Sequence, residues 1–276
     1  PSLLGCLLCF STVSPAQTPD GSARPTATPV ATPGAYTNTT INYIRTWEPN
    51  MPTADTAVVS SASRSVSEVK QTTQYFDGLG RPLQTVSKGT SAGGNDVVTP
   101  VVYDEFGREQ FKYLPYAAQT GNSNDGKFKT SPFADQQAFY QMETLMPGAK
   151  NENIYYSRTD FEASPLNRVM NTYAPGNSWA KNDPSTVERG GNHPVESQYL
   201  VNALADSVRI WTLAAGGIIP VSSSTYGAGQ LYKNVTIDEA AGQVVEYRDK
   251  EDRVVMKKLQ LSASPGTAHM GWLCTY

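Results

Sequence analysis

The stretch Phe76-Asp77-Gly78-Leu79-Gly80-Arg81 decides the fold, because it holds the residues that a tight turn between two β-strands requires. Tyr103-Asp104-Glu105-Phe106-Gly107-Arg108 repeats the pattern: an aromatic residue, Asp, two residues, Gly and Arg. An Asp carboxylate can accept hydrogen bonds from backbone N–H groups two residues further on, and Gly supplies the positive φ that such a hairpin turn needs. Each stretch therefore predicts a β-hairpin, with these structural residues: Asp77, Gly80, Arg81, Asp104, Gly107 and Arg108.

The rest of each motif also has a predicted place. We expect the Arg to begin the return strand and to reach back to the Asp, and the aromatic residue to pack on the face of the sheet. Two decayed copies lie near the C-terminus. Asp249-Lys250-Glu251-Asp252-Arg253 follows Tyr247 and lacks the Gly, while Ile237-Asp238 with Gly242 suggests a copy that is one residue longer.

Strand-like segments surround these turns. They alternate apolar and polar residues or are rich in β-branched and aromatic residues, which is typical of strands. We therefore predict a mainly β fold of antiparallel hairpins that form a β-sandwich or a partial β-shell. The clearest strand segments are residues 41–47, 66–76, 83–86, 97–103, 109–113, 198–201, 208–213, 235–237, 244–247 and 254–261.

One short helix is predicted near residues 132–144. Ser131 can cap it, Pro132 suits the first helical position, and Asp135 interacts favourably with the N-terminal dipole. Pro147-Gly148 would stop it. Residues 51–64 are small and polar, and we expect them to form a loop.

The N-terminal residues predict export. Residues 1–16 contain an apolar run that is too short to span a bilayer, and Ser14 and Ala16 suit a signal-peptidase cut before Gln17. We interpret them as a truncated signal peptide. Residues 17–40 form a Pro/Thr-rich linker without apolar periodicity. Residues 41–276 are the β-rich domain, and we expect a protein that is not transmembrane and is either secreted or held at the cell surface.

Composition argues against several functional classes. The formal net charge is -3 with no basic stripe, so a nucleic-acid partner is not expected. Only 3 Cys residues are present, and Cys6 and Cys9 lie in the predicted signal peptide. One cysteine, Cys274, would remain after cleavage, which argues against a disulfide framework and against metal sites built on Cys pairs.

Several residues are candidates for an active site or a metal site. Asp77 and Asp104 could form the pair of carboxylic acids that a glycosidase needs. However, the hydrogen bonds that Asp makes in turns already explain why each residue is present. Residues 120–126 are the best place for calcium, although they lack the ligand spacing of an EF-hand loop. His193 and His269 have no accompanying nucleophile motif. We therefore predict no catalytic residues, no cofactor and no metal.

Tryptophans are the remaining candidates for ligand contact. Trp47, Trp179, Trp211 and Trp272 could line a carbohydrate platform, or they could pack in the core. Trp179 and Trp211 are the two that we select as possible ligand contacts.

The turn motifs resemble the Tyr-Asp (YD) repeats of the Rhs family of large bacterial surface and toxin-delivery proteins. Several further stretches are similar to an uncharacterised N-terminal domain carried by Rhs proteins of Gram-negative bacteria. The resemblance covers roughly residues 41–276. Its stretches are residues 74–84, Leu114-Pro115-Tyr116, residues 161–169 and residues 173–179.

The resemblance implies a structural role. In the Rhs family, YD repeats coil into a long β-sheet that forms a hollow shell around a variable C-terminal toxin. The chain would then be a non-catalytic N-terminal segment whose main partner is the remainder of its own longer chain, including a repeat array and a C-terminal effector. The alternative is a module that binds a glycan or a protein at the cell surface.

Overall fold

A computed structural model of the protein describes residues 31–150, 152–180 and 192–276. In these ranges the strands pair antiparallel, so the predicted mainly β, antiparallel fold is confirmed. The chain divides into two compact units. Among the described residues, the first unit contains residues 31–150, 152–180, 192–197 and 237–242, and the second contains residues 198–236 and 243–276. The predicted signal peptide and most of the predicted linker lie outside the described residues.

The first unit begins with a five-stranded antiparallel sheet, in the order β1-β2-β3-β4-β6, and continues into a second set of strands, in the order β5-β7-β8. Its elements in chain order are β1 (Asn42–Pro49), α1 (Thr56–Val59), β2 (Val69–Phe76), β3 (Pro82–Ser87), β4 (Val97–Pro100), β5 (Phe111–Tyr113), β6 (Tyr116–Ala117), α2 (Pro132–Tyr140), β7 (Tyr156–Phe161) and β8 (Val169–Tyr173). Strand β9 (Val195–Val201) crosses the boundary between the units, and its first residues pair with β8.

The helices differ from the prediction in two ways. A one-turn helix, α1, lies where a loop was expected, because the Asp55 carboxylate accepts hydrogen bonds from the N–H groups of Ala57 and Val58 and so caps it. The predicted helix is present as α2, with Pro132 in its first turn. However, the Ser131 side chain makes no capping hydrogen bond, and the helix ends at Tyr140, well before Pro147.

Helix α2 is anchored to the rest of the first unit by contacts from one of its faces. Buried Gln136 donates from Nε2 to the carbonyl oxygens of Leu114 and Tyr155, at 2.6 and 3.0 Å. Tyr140 stacks on Tyr155 with 4.7 Å between ring centroids. Phe133 packs edge-to-face on Tyr113 at the same centroid distance, 4.7 Å. The helix is therefore held by one face, as the tertiary packing of short helices generally requires.

The core of the first unit is rich in tyrosine. One cluster of buried residues joins β2, β3, β4 and β6 to α2, and a smaller cluster surrounds β5. Tyr36 packs against both clusters and lies edge-to-face with Phe128, with 5.3 Å between centroids. Its backbone N–H donates to the Thr130 carbonyl. The end of the predicted linker is therefore part of the packed unit, because one aromatic residue gives it apolar area to bury.

The second unit is also antiparallel. Its elements are a 3-10 turn (Leu204–Asp206), β10 (Arg209–Thr212), β11 (Val221–Thr225), β12 (Tyr232–Ile237, whose last residue belongs to the first unit), β13 (Gln243–Arg248), β14 (Val254–Gln260) and β15 (Trp272–Thr275). Strands β12 to β15 are neighbours in sequence order, and β10 pairs with β11 as a separate hairpin. The buried apolar residues of this unit are Val208, Leu231, Val235, Val245, Tyr247 and Met256.

None of the helices in the described part of the chain is both long enough and apolar enough to cross a membrane.

Candidate functional site

The Asp77 turn has a closed network of hydrogen bonds. Asp77 Oδ1 accepts from the N–H groups of Leu79 at 2.9 Å and Arg81 at 2.8 Å, and the Arg81 Nε donates to Asp77 Oδ2 at 2.8 Å. Gly80 has φ +79°, a conformation that costs L-residues energy. These hydrogen bonds hold the pKa of Asp77 below its ordinary value, with the backbone N–H of Arg81 as the largest cause. The carboxylate is a structural acceptor for its own turn.

The Asp104 turn has the same geometry in a more enclosed place. Its Oδ1 accepts from the N–H groups of Phe106 and Arg108, at 3.0 and 2.8 Å, and Arg108 Nε lies 2.7 Å from Oδ2. Gly107 has φ +77°. The side chains of Asp104 and Arg108 are 5% and 10% exposed, against 17% and 34% for Asp77 and Arg81. Both predicted acids are thus occupied by their own turns.

Successive turns of the first unit are joined by cation–π contacts. The Arg81 guanidinium lies 4.4 Å from the ring centroid of Tyr103, which is the aromatic residue of the Asp104 turn. The Arg108 guanidinium lies 4.6 Å from the ring of Phe161, and its Nη1 donates to Asn167 Oδ1 at 2.9 Å. Each Arg therefore closes its own turn and also contacts the next turn. The Asp104 turn has a neighbour on both sides, since Arg81 contacts its Tyr103 and its Arg108 contacts Phe161, and it is therefore the less exposed of the two.

The turn at Phe161 is an enlarged version that the sequence analysis missed. Glu162 replaces Asp, and Arg168 binds it with two donors, Nε at 2.9 Å and Nη2 at 2.8 Å. Asn167, directly before Arg168, has φ +53° and so takes the place of Gly. The sequence signal for this turn is the acid after an aromatic residue, Phe161-Glu162, followed later by Asn directly before Arg168. Asn can replace Gly there because it tolerates the left-handed region.

The two decayed copies keep the backbone geometry of the intact turns. In the Asp249 turn, Oδ1 accepts from the N–H groups of Glu251 and Arg253, and Asp252 takes the left-handed position with φ +64°. In the Asp238 turn, Oδ1 accepts from Ala240 and Gly242.

The prediction that the Asp238 copy is one residue longer is wrong. Ala241 occupies its left-handed position, with φ +70°, and its N–H donates to the Asp238 carbonyl. Gly242 therefore stands where the other turns have Arg. An added Cβ on Gly242 would lie 2.7 Å from Asp238 Oδ2, so a larger residue at this position would require the carboxylate to shift.

A family model described as "Domain of unknown function (DUF6443)" matches residues 45–192. The chain belongs to this family. No curated protein and no solved structure shows significant similarity to it.

The DUF6443 match covers the three turns that the arginine contacts join, from Asp77 to Arg168. The matched range also ends within a few residues of the boundary of the first unit in β9. The interlocked turns of this chain therefore lie inside the DUF6443 match, and residues 198–276 lie outside it.

Residues 120–126, the calcium candidate for which no metal was predicted, lie beside the ammonium group of Lys129 in this DUF6443 chain. Lys129 Nζ donates to the Asn122 carbonyl and lies 2.6 Å from Asp96 Oδ2, with both side chains of that ion pair at most 2% exposed. Asp96 also accepts from the N–H groups of Gly89 and Gly126, at 2.9 and 2.8 Å. The Asp96 carboxylate thus neutralises the buried ammonium group, and the Asn122 carbonyl accepts a hydrogen bond from it, which ties residues 122–129 to the sheet.

Of the two histidines, His193 contacts Trp179 with 4.9 Å between centroids, and its Nδ1 is 3.1 Å from the Glu239 carbonyl. The His269 Nε2 lies 3.1 Å from the Tyr276 hydroxyl. Burial is the main cause that lowers the pKa of His269, followed by repulsion from Lys258 and Arg209. In the described ranges, no three His, Cys, Asp or Glu residues group as a metal site.

Trp179 and Trp211, the predicted ligand contacts, are about equally exposed, at 45% and 46%, and they lie in different units. Trp211 lines a cleft in the second unit, which we call the aromatic cleft. Its volume is about 460 Å³, and its lining residues are Arg209, Trp211, Pro220, Tyr226, Val255 and Tyr276. Trp47 and Trp272 are partly buried. Trp272 donates from Nε1 to the Gly266 carbonyl and lies beside Lys258.

Proposed function

We propose that the chain is a non-catalytic structural segment of an exported Rhs-type protein, supporting a β-shell that carries or delivers a C-terminal effector. The observation that carries the proposal is the interlock of successive turns, in which the arginine of one turn contacts the aromatic ring of the next. Such contacts stabilise a stack of hairpins. The same arginines also pair with Asp77 and Asp104, the carboxylates that a hydrolase would need unpaired.

A structural role predicts that the interlock determines protease resistance. We expect the purified chain to resist limited chymotrypsin digestion without ligand. Arg108→Ala and Phe161→Leu should both make the first unit susceptible, because the first removes the cation and the second removes the ring but keeps apolar volume. Arg64→Ala is the matched control, since its pair with Glu68 lies at the surface, with side chains 36% and 50% exposed. Equal resistance in all four proteins would contradict the proposal.

The same proposal predicts no hydrolytic turnover. Assays against glycoside and peptide substrates should give no activity above a buffer blank. Turnover that is lost in Asp104→Asn would overturn the structural role. The complete reading frame is an independent check, since it should contain further Tyr-Asp turns and a C-terminal effector. Mass spectrometry of the mature protein should find Gln17 at its N-terminus if the proposed export route is used.

A second candidate function is binding of a cell-surface glycan or protein. The observation that favours it is the aromatic cleft, where half-exposed Trp211 and Tyr276 border an open volume. Aromatic side chains that stay partly exposed offer large contact area at low entropic cost. An array of glycans and cell-surface proteins tests this candidate. Binding that is lost in Trp211→Ala supports it, and the absence of binding to every glycan and protein on the array counts against it.

A further inference from the structure

From the chemistry of its lining, we infer that the aromatic cleft binds a proline-rich peptide that carries an acidic residue. The inference rests on the second candidate function and names the ligand class of that site. Proline-rich segments adopt the polyproline II conformation, and aromatic-lined grooves are the surfaces that recognise it.

The shape of the cleft fits a proline ring. Trp211 and Tyr276 lie edge-to-face, with 5.5 Å between centroids and planes inclined by 74°. Two rings at this angle form the walls of a notch, and Pro220 and Tyr226 extend its apolar surface. A proline side chain is compact and apolar, so it can lie against the face of one ring while the peptide backbone stays at the opening.

The notch is held in place before a ligand arrives. The Tyr276 hydroxyl lies 3.1 Å from His269 Nε2 and accepts from the Arg209 N–H at 3.4 Å. A fixed ring loses little conformational entropy on binding, and a polyproline II peptide is itself already extended. Both partners therefore lower the cost of association.

The polar groups of the cleft favour a peptide over a sugar. The described residues that line it include no carboxylate or carboxamide side chain, the groups that usually pair with adjacent sugar hydroxyls. Arg209 supplies donors instead, and a polyproline II backbone has carbonyl oxygens with no internal hydrogen bonds to satisfy.

Charge complementarity selects an acidic peptide. Arg209 is exposed, and it lies close enough to His269 to depress the pKa of that imidazole. No acidic residue is among the described residues that line the cleft. Within this lining, a ligand carboxylate beside the prolines would therefore pair with the Arg209 guanidinium, and guanidinium groups bind carboxylates well.

Calorimetry with the full chain tests the inference. The probes are three synthetic peptides: six prolines followed by Asp, six prolines followed by Lys, and a Gly-Ser peptide followed by Asp. We expect saturable binding of the first, weaker binding of the second and none of the third. Trp211→Ala should weaken the first by about tenfold or more, as is common for buried aromatic contacts.

Two variants make the result specific. Trp179→Ala should bind as the parent chain does, because it removes an equally exposed tryptophan from the other unit. Arg209→Gln should bring the Asp and Lys peptides to similar affinity while binding persists. This substitution at an exposed position keeps the test valid if Trp211→Ala does not fold.

The outcomes separate this inference from the function on which it rests. Glycan binding that depends on Trp211, with no peptide binding, overturns the ligand class and keeps the binding function. No binding of any peptide or glycan overturns both. Equal affinity for the Asp and Lys peptides in the parent chain overturns the acidic preference.

Discussion

At the scale of single residues, the turns show how much one carboxylate and one left-handed residue can determine. Asp77, Asp104 and Asp249 each accept two backbone N–H groups and an arginine Nε through the same atoms. The left-handed position is filled by Gly in the first two turns and by Asp252 in the third. The turn therefore forms even when another residue replaces the glycine, but that residue must adopt a strained left-handed backbone conformation.

Glycine substitutions should measure that strain. Gly80→Ala should lower the free energy of unfolding by about 1–2 kcal/mol, because alanine is strained at this positive φ. Steric clash should add nothing, since an added Cβ meets no atom within 4 Å. Gly107→Ala should cost more, because its Cβ would lie 3.2 Å from Arg81 Nη1 and displace the arginine from Tyr103. Urea unfolding monitored by circular dichroism would give the free energies.

Two further variants control this comparison. Gly78→Ala has open space and no positive φ, so it should change stability by no more than about 0.5 kcal/mol. Ala241→Gly should stabilise the chain by about 0.5–1 kcal/mol, because it relieves a left-handed alanine. Equal losses for Gly78→Ala and Gly80→Ala would contradict the role of φ.

At the scale of elements, the sequence predicted strands better than helices. The strands predicted at residues 41–47 and 83–86 coincide closely with β1 and β3, and the buried residues of β3, Gln84 and Val86, show the two-residue period of a strand. Pro132 located the start of helix α2, but no local pattern reports the contacts of Gln136 and Tyr140 with distant backbone that hold it. Contacts between turns were missed for the same reason: Arg81 and Tyr103 meet only in the folded sheet.

The buried Asp96–Lys129 pair should behave as a coupled unit. Asp96→Asn or Lys129→Met alone should cost about 3–5 kcal/mol, since each leaves an uncompensated charge in the interior. The double substitution should cost clearly less than the sum of the two. Urea denaturation of the parent chain, the two single variants and the double variant gives the free energies for this double-mutant cycle. Additive losses would show that the two side chains do not interact.

A surface pair provides the contrast to this cycle. Lys150 and Glu143 also form an ion pair, but their side chains are 51% and 66% exposed. The same cycle there should give a coupling below about 1 kcal/mol.

At the scale of the whole molecule, acid should weaken the fold. The pKa values of Asp77 and Asp249 are lowered in the folded chain, chiefly by backbone N–H groups of Arg81 and Arg253. A lowered pKa means that the ionised form favours the folded state, so this stability is present above the unfolded pKa and is lost as the pH falls through the folded value. The pKa of Asp135 is raised by burial, so its protonation opposes the trend slightly.

Urea midpoints measured between pH 7 and pH 2 should therefore decrease below about pH 5. Asp77→Asn should start from a lower midpoint at neutral pH and show a shallower decrease, because one titrating carboxylate has been removed. A midpoint that is constant across this range would contradict the role assigned to these acids.

The contacts between turns also bear on how the family can change length. Arg108 meets Phe161 across a long excursion of the chain that includes α2, whereas Arg81 meets Tyr103 after a much shorter one. The arginine contacts involve only turn residues, so the same joint is made whatever number of residues the chain places between one turn and the next. Because the strands and α2 between the turns are packed in the core, insertions and deletions should be tolerated in the exposed loops of those segments, and the hairpin tips should keep their length.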